Sequence, residues 1–279
     1  MPTKAKILFG IHGLGFFCPP GGLYCMILNK FLKEPLTCLN CIGYLGIKTG
    51  GDNQKKYLAL ARKADMIAVD SKFMKEFYHT YNPTLMPLPM ETDILTPCDI
   101  EDREDYIFYT GRLSFEKNPY GFVDIINKTG LKGKMVVYDT VEDIMCIKNQ
   151  YDEILNNKEI EIFLNPTKEV MITLLRHAKF TVLPYFFAEP FGVAAANSVM
   201  CGTPLITFPY GNARNMTHLL PKTLNEMIEL LKMDDKQYQI ELTKTLKKSN
   251  ELRLLHKPEN VIKIWDKMYD ELIKIITSD

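Results

Sequence analysis

The sequence has no apolar run near the ~20 residues that a membrane-spanning helix needs, so no integral membrane protein is expected and membrane association is not indicated. Excess charge is also missing. The 34 Lys and Arg balance 34 Asp and Glu, which gives no footprint for a nucleic-acid partner. The start, MPTKAKILFGIHG, carries only a short apolar run broken by His12 and glycines, so no secretory signal is expected and the expected location is cytoplasmic. Internal repeats and low-complexity tracts are absent. No Asp-x-Asp dyad follows a strand-like run, so no evident carboxylate seat for a magnesium-bound diphosphate exists, and no metal or other cofactor is expected. Closely paired cysteines are few: of seven, only Cys38 and Cys41 have the spacing of a metal or redox pair, and no second such pair accompanies them. Buried or unpaired thiols, a disulfide and a zinc site all stay open there; reduced thiols would fit a cytoplasmic chain.

What is present is an ordinary globular composition, 46% hydrophobic and 24% charged, which can bury one large core or two modest ones. Short β-rich runs alternate with longer helical patterns. The runs are Lys6–Phe9, Met66–Val69, Ile107–Thr110, Lys134–Tyr138, Glu161–Leu164, Phe180–Leu183 and Leu205–Phe208. Such alternation predicts parallel sheets with crossover helices. Ser71 can cap a helix through Phe73 and Phe77. Asn118-Pro119 and Asn165-Pro166 each set a capping Asn before a proline suited to the first helical position. Val261, Ile264, Trp265, Met268, Leu272, Ile275 and Ile276 form one stripe at helical spacing, which predicts a docked final helix. Lys244, Lys247, Lys248, Arg253 and Lys257 lie in a helical region, read as a solvated face or as a face for an acidic surface. The polar stretch Pro97–Asp102 is the best boundary, giving a short α/β domain over 1–100, a fuller one over 101–260 and a terminal helix over 261–279.

Three segments carry chemistry. In Tyr109–Asn118, a strand ends at Gly111, and Arg112 and Lys117 follow before a helix start. A planar guanidinium fork and a compact ammonium at a strand's carboxyl end suit a diphosphate, although a surface loop with solvated charges is the plain alternative. In Leu183–Asn197, a strand leads into a loop with Glu189, then Gly192 and a helix rich in small residues. The amides of Phe191, Gly192 and Val193 would open that helix and could bond ligand oxygens; Glu189 could equally be an acid that favours a helix terminus. In Cys201–Asn212, Gly202 ends a helix, Thr203-Pro204 enters a buried strand, and Gly211-Asn212 forms a loop at its carboxyl end.

In this order the three segments resemble the donor domain of the retaining GT-B glycosyltransferases of the group 1 type, relatives of glycogen and sucrose synthases. The likeness covers about residues 105–212, with a fair match at Ala64–Ser71. It implies two Rossmann-like α/β domains facing a cleft, the N-terminal one reduced. It implies transfer of a sugar from a nucleotide diphosphate donor to an unknown acceptor, with retention of configuration and no metal. A non-catalytic nucleotide-sugar-binding subunit, or an epimerase or hydrolase on the same fold, are the alternatives. The resemblance implies that Arg112 and Lys117 hold the diphosphate beside Gly111. It implies that Glu189 meets the donor sugar and that the amides at Phe191, Gly192 and Val193 contact sugar or phosphate. Two positions depart from the family pattern. Asn197 stands where a second glutamate commonly grips the ribose, and Gly211–Asn215 lacks the glutamate often found there. Near the start, either Gly21-Gly22 resembles the family's glycine loop or Ile11-His12-Gly13 resembles its histidine-bearing strand end; His12 is a catalytic candidate in the second case and structural otherwise. His79, His177, His218 and His256 are read as structural or surface residues.

Overall fold

A computed structural model describes residues 7–12, 24–25, 30–31, 56, 59–139, 152 and 154–277. Contacts divide the chain into two compact units. The first holds the chain up to Pro89, the short segment Phe187–Phe191 and the chain from His256 onward; the second holds Met90–Phe186 and Gly192–Leu255. The sequence suggested divisions after residues 100 and 260. It carried no signal for the return of Phe187–Phe191 to the first unit.

In the first unit, β1 (Leu8–Ile11), β4 (Met66–Val69) and β5 (Thr84–Leu85) form a parallel sheet in the order β1-β4-β5. β2 (Tyr24–Cys25) and β3 (Lys30–Phe31) form a separate antiparallel pair. Central β4 is apolar on both faces, as a covered parallel strand should be, with Ile67, Ala68 and Val69 buried. Helix α1 (Lys72–Phe77) follows at once, its N-terminus capped by the Ser71 hydroxyl, which accepts the Met74 N–H at 3.2 Å.

The second unit is a five-stranded parallel sheet of β6 (Glu104–Gly111), β7 (Lys132–Val137), β8 (Ile160–Leu164), β9 (Ala178–Leu183) and β10 (Leu205–Thr207). Their order is β10-β9-β6-β7-β8. The chain runs outward from β6 one way to β8, then crosses to β9 and runs outward the other way. That is the doubly wound arrangement, and its direction reverses beside β6. Between strands run α2 (Pro119–Thr129), α3 (Lys168–His177) and α4 (Val193–Met200). Then follow α5 (Leu224–Leu231) and α6 (Asp235–His256).

Asn118 caps α2 as its sequence predicts, accepting the Gly121 N–H at 3.1 Å with Pro119 first in the helix. The parallel expectation for Asn165 is corrected. α3 is capped by Thr167, whose hydroxyl accepts from Val170, while Asn165 is left-handed and donates its amide to the Asp139 carbonyl at 2.7 Å. The helix starts two residues beyond Pro166, at Lys168, so the cap falls to the Thr167 hydroxyl rather than to Asn165.

The final helix α7 (Pro258–Thr277) belongs to the first unit. Val261, Met268 and Leu272 are buried on the predicted stripe, and Trp265 donates its indole N–H to the Pro87 carbonyl at 3.1 Å. Of the basic residues of the preceding region, Lys244 pairs with Glu241, Lys248 with Glu251 and Lys257 with Glu259, as on a solvated face, whereas Arg253 is half-buried and donates to the Thr92 carbonyl at 3.3 Å. Pairs of this exposed kind are worth ~0–1 kcal/mol each. Among the described residues no helix is long and apolar enough to cross a membrane.

Candidate functional site

The residues singled out by sequence fall into both units. In the second unit, Gly111 ends β6 at the point where the strand order reverses, and ligands of open α/β sheets gather at that carboxyl edge. The loop 111–118 that follows is held by a ring of hydrogen bonds. Tyr109 donates its hydroxyl to the Lys117 carbonyl at 3.1 Å, and Tyr185 donates its own to the Thr110 carbonyl. Asn118 donates its amide to the Pro184 carbonyl at 2.9 Å, and the Phe186 N–H meets the Glu116 carbonyl at 2.9 Å. On the other side, the Leu113 N–H donates to the Asp139 carboxylate at 2.6 Å. A side chain at Gly111 would begin 3.0 Å from the Tyr109 hydroxyl and 3.1 Å from that of Tyr185, so any larger residue at 111 would make the two tyrosines give way.

The two cations stand on this braced loop. Arg112 is 62% exposed along its side chain, with one guanidinium nitrogen 3.1 Å from Glu116, so its head remains within reach of an incoming anion. The Lys117 ammonium lies 4.3 Å from the centre of the Tyr185 ring, a cation–π seat that limits where the charge can point. The Ser114 hydroxyl between them is buried and finds no hydrogen-bond partner among the described residues.

α4 begins at Val193, with Gly192 in the cap position at φ 84° and no side chain capping the first turn. Among the described residues, its first turn has no side-chain cap. The helix starts later than a Glu189 terminus would require. Glu189 lies ahead of it, and Asn197 is four residues beyond Val193, on the Val193 face and half-buried. Glu189 is therefore not the acid of a helix terminus, and Gly192 in a left-handed conformation stands between it and the helix that carries Asn197.

In the first unit, the half-buried Glu189 sits in Phe187–Phe191, whose local turn is closed by the Glu189 N–H to the Phe187 carbonyl at 3.1 Å. Pro190 accepts the Ser71 hydroxyl through its carbonyl at 2.5 Å. The buried ring of Phe191 stands edge-on to His256 at 5.2 Å. His256 shares its Nδ1 with the Leu88 carbonyl at 2.8 Å, and burial holds its imidazole below the usual histidine range. His12 follows β1, and its Nδ1 is 3.3 Å from the carboxylate of Asp70, which directly follows β4. Burial pushes the Asp70 carboxyl up, and His12 is the chief influence pulling it back. Asp70 was missed by sequence reasoning, although a carboxylate directly after an apolar strand run was a signal in plain view.

Gly21-Gly22 and the side chains of Cys18, Cys25, Cys38 and Cys41 lie outside the described residues. Cys98 is half-buried and donates its thiol to the Arg176 carbonyl at 3.1 Å; Cys201 is buried, which pushes its thiol up to about 12. Neither is a reactive thiolate at neutral pH.

The pattern of the family described as "Glycosyl transferases group 1" matches residues 93–218. No curated protein sequence matches the chain. Among solved structures, sucrose-phosphate synthase from Thermosynechococcus elongatus superposes with a TM-score of 0.70 at 16% identity, over 96% of this chain and 68% of that one. Anabaena HepE, solved with UDP and glucose, superposes with a TM-score of 0.65 at 12% identity, over 96% of this chain and 72% of its own. A glycosyltransferase from Rickettsia africae ESF-5 gives a TM-score of 0.65 at 14% identity, over 98% and 72%. The chain therefore has the α/β fold of the GT-B glycosyltransferases, and its residues 93–218 carry the group 1 glycosyl transferase pattern.

Proposed function

We propose that the chain is a glycosyltransferase that takes a sugar from a nucleoside diphosphate donor and transfers it, with retention of configuration, to an acceptor hydroxyl. One observation carries this reading. Arg112 and Lys117 stand on a braced loop at the carboxyl edge of β6, where the strand order reverses, in a segment that matches group 1 glycosyl transferases. The similar fold of HepE, solved with UDP-glucose, supports the choice of donor class.

In the proposed reaction the bond between the anomeric carbon and the diphosphate oxygen breaks, and its electron pair leaves with the nucleotide. Arg112 and Lys117 stabilise the charge that builds on that oxygen. The acceptor oxygen bonds to the anomeric carbon, and its proton passes to the departing phosphate oxygen. Glu189 meets donor hydroxyls and His12 meets a further sugar hydroxyl. The amides at Phe191, Gly192 and Val193 serve donor oxygens, and Asn197 serves the ribose. With two cations provided by the protein, turnover should proceed in EDTA. We place this activity in the cytoplasm.

The test is nucleotide release from UDP-, GDP- and ADP-sugars with and without candidate acceptors. Acceptor-dependent release from one of them supports the reading. Release that is equal without any acceptor would favour a hydrolase, and no release from any donor contradicts the reading.

A further inference from the structure

Two adjacent side chains in the first unit have no place in the transfer just described. Asp70 and Ser71 directly follow β4 and are buried at 4% and 3% exposure, an unusual place for a carboxylate. Asp70 Oδ2 faces His12 Nδ1 at 3.3 Å, and its buried Oδ1 has no hydrogen-bond partner among the described residues. Burying a carboxylate costs free energy, and packing alone gives no return for that cost. The return is control of the imidazole. β1 and β4 run parallel with Ile11 opposite Val69, so the next residues, His12 and Asp70, emerge side by side from the same sheet edge. The His12 side chain is 56% exposed, so it is solvent-facing while its partner is not. A side chain at Gly10 would begin 3.3 Å from His12 Nε2, so the bare Gly10 leaves the ring its position.

Ser71 does a second job. A hydroxyl has one proton and two lone pairs. It accepts the Met74 N–H at 3.2 Å and donates its proton to the Pro190 carbonyl at 2.5 Å. Pro190 is the residue after Glu189.

We propose that Asp70-Ser71 is a positioning element for two functional side chains: Asp70 accepts the Nδ1–H of His12 and so leaves the Nε2 lone pair for a sugar hydroxyl, while Ser71 fixes the Pro190 carbonyl and with it the setting of Glu189. Only the identity of the ligand, a sugar hydroxyl, rests on the glycosyltransferase reading. A carboxylate that fixes a histidine tautomer is a general device. Here it would couple two strand ends 58 residues apart in sequence.

Nitrogen-15 NMR of the His12 ring in the wild-type chain, at a pH where the imidazole is neutral, tests the first half without any variant. The Nδ1–H tautomer is expected to dominate, and Asp70→Ala should lose that preference. Dominance of Nε2–H in the wild type, or no change in Asp70→Ala, overturns it. Turnover of the best sugar nucleotide tests the consequence. Asp70→Ala and His12→Ala should each lower kcat on the order of ten- to a hundredfold, with affinity for the bare nucleoside diphosphate unchanged. Added to His12→Ala, Asp70→Ala should cost less than about twofold more, because it acts through the ring. Full additivity would contradict that route. Ser71→Ala should lower kcat and Ser71→Thr should restore it; equal rates in the two overturn the second half. A chain that turns over no sugar nucleotide refutes the proposed function, while the tautomer measurement still decides the role of Asp70.

Discussion

Substitution of Arg112 and Lys117 tests the proposed grip on the diphosphate. Each should weaken a nucleoside diphosphate by about 1.5–3 kcal/mol when replaced by Ala, and leave the matching nucleoside nearly untouched, because charge-assisted bonds go to phosphate. Titration calorimetry with both ligands checks this. Glu189→Gln should lower kcat far more than nucleotide affinity if the carboxylate meets the sugar chiefly in the transition state; steady-state rates beside calorimetry give the comparison. His256 offers a pH test of stability. Burial lowers its pKa in the folded chain, so the unfolded chain takes up the proton first. Its contribution is complete above the ordinary histidine value of about 6.5 and declines as pH falls from there toward the folded-state value. The melting temperature of the wild type should therefore drop more steeply on acidification than that of His256→Gln, which keeps a donor for Leu88. Parallel pH profiles would remove His256 from the acid response. At this scale the sequence disclosed cations and caps, because each depends on neighbours a few residues away. It did not disclose the contact of Asp70 with His12, since parallel strand pairing is what brings them together.

Among the elements, strands were the most readable: Met66–Val69 is β4 to the residue, since a buried parallel strand must be apolar on both faces. Cap positions were readable only where the helix starts directly after the asparagine, which separates Asn118 from Asn165. Asn118 holds α2 in place while itself left-handed at φ 47°, and it bonds both Gly121 and Pro184. Asn118→Ala should cost about 2 kcal/mol, combining a lost cap with left-handed strain. Urea unfolding monitored by circular dichroism measures it, and Asn118→Gly should recover part of the loss by relieving the strain. Gly192 is a similar hinge between loop and helix. At φ 84° it should not accept Ala without ~1–2 kcal/mol of destabilisation, visible in the same unfolding experiment.

For the whole molecule, the division into units was the least readable level. Phe187–Phe191 and the chain from His256 onward join the first unit through contacts such as Ser71 to Pro190 and Trp265 to Pro87, which span 119 and 178 residues. Periodicity and capping signals act over one or two turns and cannot report such returns. The order of the β6–β10 sheet was equally hidden, yet that order is what sets Arg112 and Lys117 at the carboxyl edge where the strand order reverses. We propose that this edge grips a nucleoside diphosphate without help from a metal. Calorimetric titration of the whole chain in EDTA, with UDP, GDP and ADP and with uridine, guanosine and adenosine, tests it most directly. One of the diphosphates should bind at least about tenfold more tightly than its nucleoside, a difference of about 1.4 kcal/mol. Binding of none of the three, or equal affinity for diphosphate and nucleoside, would contradict the account.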